Sequence, residues 1–106
     1  MTEQNASGFV VFGDPGDDGC PGNTVISGTV KLTNNHADAE VVANDIPSLT
    51  LSGTSGVGPF PDDTAAEVEG NHVIGTVACT GDSPAPTNDG DPNTVGGART
   101  GQCSAV

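Results

Sequence analysis

Aromatic side chains are almost missing from this chain. Phe9, Phe12 and Phe60 are the only three, and Trp and Tyr do not occur. A thick globular core normally draws on more bulk than this, because aromatic rings bury the largest areas per residue. The same shortage weakens any reading as a sugar-binding surface, since sugar rings stack on Trp and Tyr. Basic residues are nearly as scarce. Lys31 and Arg99 face fourteen Asp and Glu, for a formal charge of −12. Nucleic-acid binding is therefore not expected, because phosphates are held by Lys and Arg that displace counterions. Anionic membrane surfaces are disfavoured for the same reason. No apolar run reaches the roughly 18 residues that a membrane-spanning helix needs. The start, Met1-Thr2-Glu3-Gln4, lacks the basic opening and apolar stretch of a signal peptide. Either the protein is kept without export, or a leader has been removed.

What the chain does have is turn chemistry and a repeat. Sixteen Gly and eight Pro, with many Asn, Asp, Ser and Thr, predict frequent bends. The stretch Ala39-Glu40-Val41-Val42-Ala43-Asn44-Asp45-Ile46 matches Ala66-Glu67-Val68-Glu69-Gly70-Asn71-His72-Val73. Related units are Cys20-Pro21-Gly22-Asn23-Thr24-Val25 and Gly90-Asp91-Pro92-Asn93-Thr94-Val95. Their anchors, Asn23, Asn44, Asn71 and Asn93, are spaced 21, 27 and 22 residues apart. A second strand follows each of the first three: Thr29–Thr33, Ser48–Ser52 and Thr76–Thr80. Each alternates small or polar with apolar residues, as a strand with one buried face does.

A period of about 22 residues with short strands and an Asn at each bend predicts a parallel β-solenoid of three to four coils. Asn suits the bend because it tolerates the left-handed conformation and bonds locally, and stacked Asn amides would form a ladder. The alternative is an antiparallel β-sandwich, which also uses short alternating strands. Aligning the anchors predicts core rows: Cys20, Val41, Val68 and Gly90; Val25, Ile46, Val73 and Val95; Val30, Leu49 and Val77; Leu32, Leu51 and Cys79.

Residues 20–106 form the repeat domain on this reading, and residues 1–19 an extension outside it. Phe9, Val10, Val11 and Phe12 in that extension are expected to cap an open end or to dock a partner. Residues 53–65 and 81–92, rich in Gly and Pro, are expected to protrude as loops.

The stretch Gly70–Cys79, then Ser83-Pro84-Ala85-Pro86-Thr87, Asn93-Thr94-Val95-Gly96-Gly97 and Thr100-Gly101-Gln102-Cys103 resembles the C-terminal ending of uncharacterised, secreted Gly/Asn-rich repeat proteins of actinobacteria. The resemblance spans roughly residues 20–103. It implies a β-solenoid and extracytoplasmic residence, and it implies no reaction. The Asn bends also resemble those of right-handed β-helices, without the catalytic parts of polysaccharide lyases.

Reactive chemistry is thin. Cys79 and Cys103 lie 24 residues apart, about one coil, and are expected to form a disulfide on adjacent coils rather than stay as two small hydrophobes. Cys20 is expected as a buried thiol. His36 and His72 are expected at the surface, and no zinc spacing exists. The acidic turns Asn88–Asn93 and Asp14–Asp18 offer oxygen ligands, so calcium is the one ion considered. Neither matches an EF-hand loop, and a solvated turn is the simpler reading. The Asp62-Asp63 pair lies in a Pro/Gly loop rather than a framed cleft, and no G-x-S-x-G motif occurs. No catalytic residue, cofactor or metal site is assigned. The functional expectation is a non-enzymatic structural or interaction protein on a viral particle or cell envelope, bound to a protein partner or to further copies of itself. The alternative is a secreted polysaccharide- or calcium-binding module.

Overall fold

The computed structural model describes residues 1–61 and 63–106. Among them the chain is all-β, with one terminal 3-10 turn. The strands are β1 (Thr2–Gln4), β2 (Val10–Phe12), β3 (Val30–Thr33), β4 (Ala39–Val42), β5 (Asp45–Ile46), β6 (Leu49–Ser52), β7 (Glu67–Glu69), β8 (His72–Val73), β9 (Val77–Thr80), β10 (Thr94–Val95) and β11 (Arg99–Gly101). Three sheets result, ordered β1-β3-β6-β9-β11, β10-β8-β5 and β2-β4-β7. Consecutive strands fall in different sheets, so each strand pairs with one from another turn of chain.

Every strand pair is parallel, including Glu40↔Glu67, Val41↔Val68 and Val42↔Glu69. The antiparallel alternative does not describe these pairings. Among the described residues the one antiparallel contact is an isolated bridge, Asp14↔Cys20. Parallel strands need crossover connections, and here the other two sheets supply them.

Like residues stack on like. Val30, Leu49 and Val77 share a register, as do Leu32, Leu51 and Cys79, and Ile46, Val73 and Val95. Val30, Leu32, Ile46, Leu49, Leu51, Val73 and Val77 are at most 1% exposed. Aligned small aliphatics thus exclude water without aromatic bulk.

The Cys20 row needs correction. Cys20 is exposed, and Gly90 is exposed too. The residue aligned with Val41 and Val68 is Phe12, from β2. Residues 13–20 instead turn outward and close on themselves through the backbone pair Asp14 and Cys20. The chain rejoins the stack at Thr24, which bridges Asp45.

Residues 1–19, read from sequence as an extension outside the repeat, supply β1 to the large sheet and β2 to a small one. Val10 and Phe12 pack on the core cluster, and Phe9 and Val11 are half-buried. This stretch is apolar and β-branched, so pairing with β4 buries it more fully than solvent exposure would.

At the other end the turn Gln102–Ala105 brings Cys103 and Val106 into the core. Cys79 and Cys103 are joined by a disulfide, with Cα atoms 5.1 Å apart.

One corner follows the large sheet. Asn5, Asn34, Gly53 and Gly81 each come directly after a strand of it, and all have φ between 54° and 69°. This left-handed conformation favours Gly and, at small cost, Asn. The corner before the Asn anchors is similar, with the positive φ at Ala43 and Gly70. The left-handed residue is therefore the one before Asn44 and Asn71, not the Asn itself.

Candidate functional site: a hydrogen-bonded Asn ladder and a buried carboxylate face

The four anchor Asn side chains form a continuous ladder. Asn44 Oδ1 accepts from the backbone N–H and the Nδ2 of Asn23, at 2.8 and 3.1 Å. Asn71 Oδ1 accepts the same pair from Asn44, at 2.9 and 3.0 Å. Asn93 Oδ1 accepts it from Asn71, at 3.0 and 2.8 Å. The second amide hydrogens of Asn44, Asn71 and Asn93 go to the carbonyls of Phe12, Val41 and Val68. Both ends of these buried amides are satisfied, which a buried polar group requires. The side chain, not the backbone conformation, is what selects Asn here.

A second polar column sits at the other corner. Asn35 Oδ1 accepts from Ala6 N, Asp82 Oδ1 from Thr54 N, and Gln102 Oε1 from Asp82 N. Sequence reading missed it because Asn35, Thr54 and Asp82 share no residue type, only polarity at one register position.

The outer face of the β2-β4-β7 sheet has a different character. Ala39 and Val41 point into the core, so Glu40 points the other way, and Glu67 beside it does the same. Yet Glu40 is 3% exposed and Glu67 8%. Two loops cover them. The turn 13–20 brings Asp14 and Asp18 to Glu40, and the loop 53–65 brings Asp63 to Asp38 and Glu67. In each triad the carboxylate oxygens lie within 4.8 Å of one another. Between the loops opens a cleft of about 260 Å³ lined by Asp17, Phe60, Pro61 and Asp63.

Like charges out of water raise one another's proton affinity. Burial pushes Glu40 up to about 8, with Glu67, Asp18, Asp14 and Asp38 adding to it. Burial likewise pushes Glu67 up to about 8, helped by Asp89, Glu69, Asp38 and Asp63. Asp38 rises to about 6 through burial, opposed by the Ala39 N–H it accepts and reinforced by Asp63 and Asp89. Glu69 also rises, chiefly by burial. No Lys or Arg forms an ion pair with these groups among the described residues.

The residues singled out from sequence fall into place unevenly. His36 and His72 are exposed, and His72 Nδ1 lies 2.9 Å from Asp45 Oδ1. The acidic turns spend their oxygens on themselves. Asp14 accepts the N–H groups of Gly16, Asp17 and Asp18. Asn88 Oδ1 accepts Gly90 N, and Asp89 Oδ1 accepts the Thr87 hydroxyl. The loops 53–65 and 81–92 do not simply protrude: Ser55 bridges Ser83, Thr87 bridges Glu67, and Asp63, Asp82 and Pro86 are buried. Asp62 lies outside the described residues. The triad Asp38, Asp63 and Glu67 was not anticipated. Its one sequence signal is that Glu40 and Glu67 hold the same place in the Ala-Glu-Val repeat, a charge recurring between core residues.

The class these features define is an all-β chain of stacked parallel strands, stapled by a disulfide. No helix among the described residues is long and apolar enough to cross a membrane. Comparisons with family models, with curated proteins and with solved structures find no significant match.

Proposed function

We propose that this chain is a short parallel β-solenoid acting as a non-enzymatic structural or interaction protein on the exterior of a viral particle or cell envelope. The observation that carries this reading is the Asn ladder, which runs through successive turns of chain from Asn23 to Asn93. Buried polar bonds repeated along one axis suit a stiff element rather than a mobile cleft. The Cys79–Cys103 disulfide supports residence outside the reducing cytosol. The outermost strands of the large sheet, β1 and β11, offer edges to a protein partner or to further copies of the chain. Phe9–Phe12 contributes β2, which pairs with β4 on one side and, as the outer strand of its sheet, offers an edge of the same kind. Enzyme activity is not part of it. The resemblance to secreted actinobacterial repeat proteins agrees with the proposed location.

Fractionation of the native source with an antibody to the chain tests the reading. The protein is expected with particles or envelope, its Cys79–Cys103 bridge oxidised. Recovery as a free monomer that binds glycans overturns it.

A further inference from the structure

We propose that Asp38, Asp63 and Glu67 form a calcium site that clamps the loop 53–65 onto the outer face of the β2-β4-β7 sheet. This goes beyond the structural role, which stands or falls independently.

Two observations converge on the triad. The first is geometric: a strand-flanking residue, a loop residue and a strand residue place their carboxylates within 4.8 Å of one another. The second is an orphaned oxygen. Asp38 is 0% exposed; its Oδ1 accepts the Ala39 N–H at 2.6 Å, while its Oδ2 is buried without any partner. This oxygen is sealed from water on a residue clustered with two further carboxylates, and a cation there would satisfy it. Asp63 is 7% exposed and holds its loop in shape by accepting Phe60 N–H through Oδ2 at 2.9 Å. In the neighbouring triad of Asp14, Asp18 and Glu40, Glu40 also keeps a buried oxygen without a partner, but both Asp14 oxygens there already serve their own turn, which leaves that triad the poorer site.

The donor set selects the ion. Oxygen-only carboxylate ligands suit hard cations, and no Cys or His joins them. Three carboxylates give three to six of the six to eight oxygens calcium takes, and the adjacent cleft admits water for the rest. Ligands drawn from a strand and a Gly/Pro loop fit calcium's flexible shell better than magnesium's strict octahedron. Binding would also relieve the repulsion that otherwise favours protonated carboxyls here.

The test is calorimetric titration of the full chain with CaCl2 at pH 7.5 after chelator treatment, with thermal melting alongside. One saturable site per chain is expected, with Kd of about 10⁻⁴ to 10⁻³ M, as in extracellular calcium modules. The melting midpoint should rise by roughly 5 °C in excess calcium. Asp38→Asn and Glu67→Gln, each near-isosteric, should fold by circular dichroism and weaken binding about ten-fold or more. Asp14→Asn should bind as the native chain does. No saturable binding, unchanged binding in both triad variants, loss of binding in Asp14→Asn alone, or magnesium bound as tightly as calcium would each overturn the proposal.

Discussion

The Asn ladder and the carboxylate face are both buried and polar, and they solve burial in opposite ways. In the ladder, the Oδ1 of Asn44, Asn71 and Asn93 each meets two donors and the Nδ2 of each meets a carbonyl. On the carboxylate face only acceptors meet, and Asp38 and Glu40 keep oxygens without partners. A closed network of neutral amides holds an architecture together with nothing added. A cluster of like charges is closed only by protons or by a cation. The difference separates what holds this fold from what makes it respond to its surroundings.

The ladder should break hardest. Asn71→Ala would leave the Asn44 N–H without its acceptor and the Val41 carbonyl without its Nδ2 donor, and it would take one of two partners from Asn44 Nδ2 and from Asn93 Oδ1. Each unsatisfied buried group costs about 1–3 kcal/mol, partly relieved by relaxation, so a loss of roughly 3–5 kcal/mol is expected in urea unfolding. An effect under about 1 kcal/mol would mean that the ladder is ornamental.

Opening the disulfide comes next. The loop closed by Cys79 and Cys103 spans 24 residues, and Cys79→Ser with Cys103→Ser should lower stability by about 3 kcal/mol in the same assay. Native-state alkylation should label only Cys20, the exposed free thiol.

The carboxylate face should show itself through pH. In chelator, Glu40 and Glu67 carry pKa values of about 8 in the folded protein against the usual 4.5. Raised values favour the neutral form in the fold. Their contribution is therefore full below about pH 4.5 and is lost as pH climbs through about 8. The melting midpoint should drop by about 5–10 °C from pH 5 to pH 9, and Glu40→Gln should flatten that slope. A midpoint independent of pH over this range would refute the raised proton affinity that burial gives these carboxyls.

The smallest effect belongs to the surface. His72 and Asp45 touch at 2.9 Å, but their side chains are 60% and 57% exposed. His72→Ala should change stability by less than about 0.5 kcal/mol, because water screens such a pair. A larger loss would show that the exposed face of β5 and β8 is more than a solvated surface.

The rows Ile46/Val73/Val95 and Leu32/Leu51/Cys79 were legible in advance because alternation and period act together. A residue two positions past an anchor Asn, or on the second strand, has few ways to point. Cys20 misled for a local reason. Cys20-Pro21-Gly22-Asn23 carries the anchor's composition and Asn23 joins the ladder, but Asp14 gathers three N–H groups into a turn that holds Cys20 outside the stack. Phe12 takes the place beside Val41, and nothing in its neighbourhood repeats the anchor pattern.

By itself the sequence determined the short alternating strands, the Asn anchors and a strongly negative charge, and it favoured parallel pairing and a Cys79–Cys103 bridge. Each follows from spacing or composition, which act along the chain. Only the tertiary structure decided that β1 and β2 join the sheets, and that Asp63 meets Asp38 and Glu67 beneath a loop. That meeting depends on how residues 53–65 fold back over a sheet face. A Gly/Pro-rich segment leaves that path open until packing against the rest of the molecule selects it.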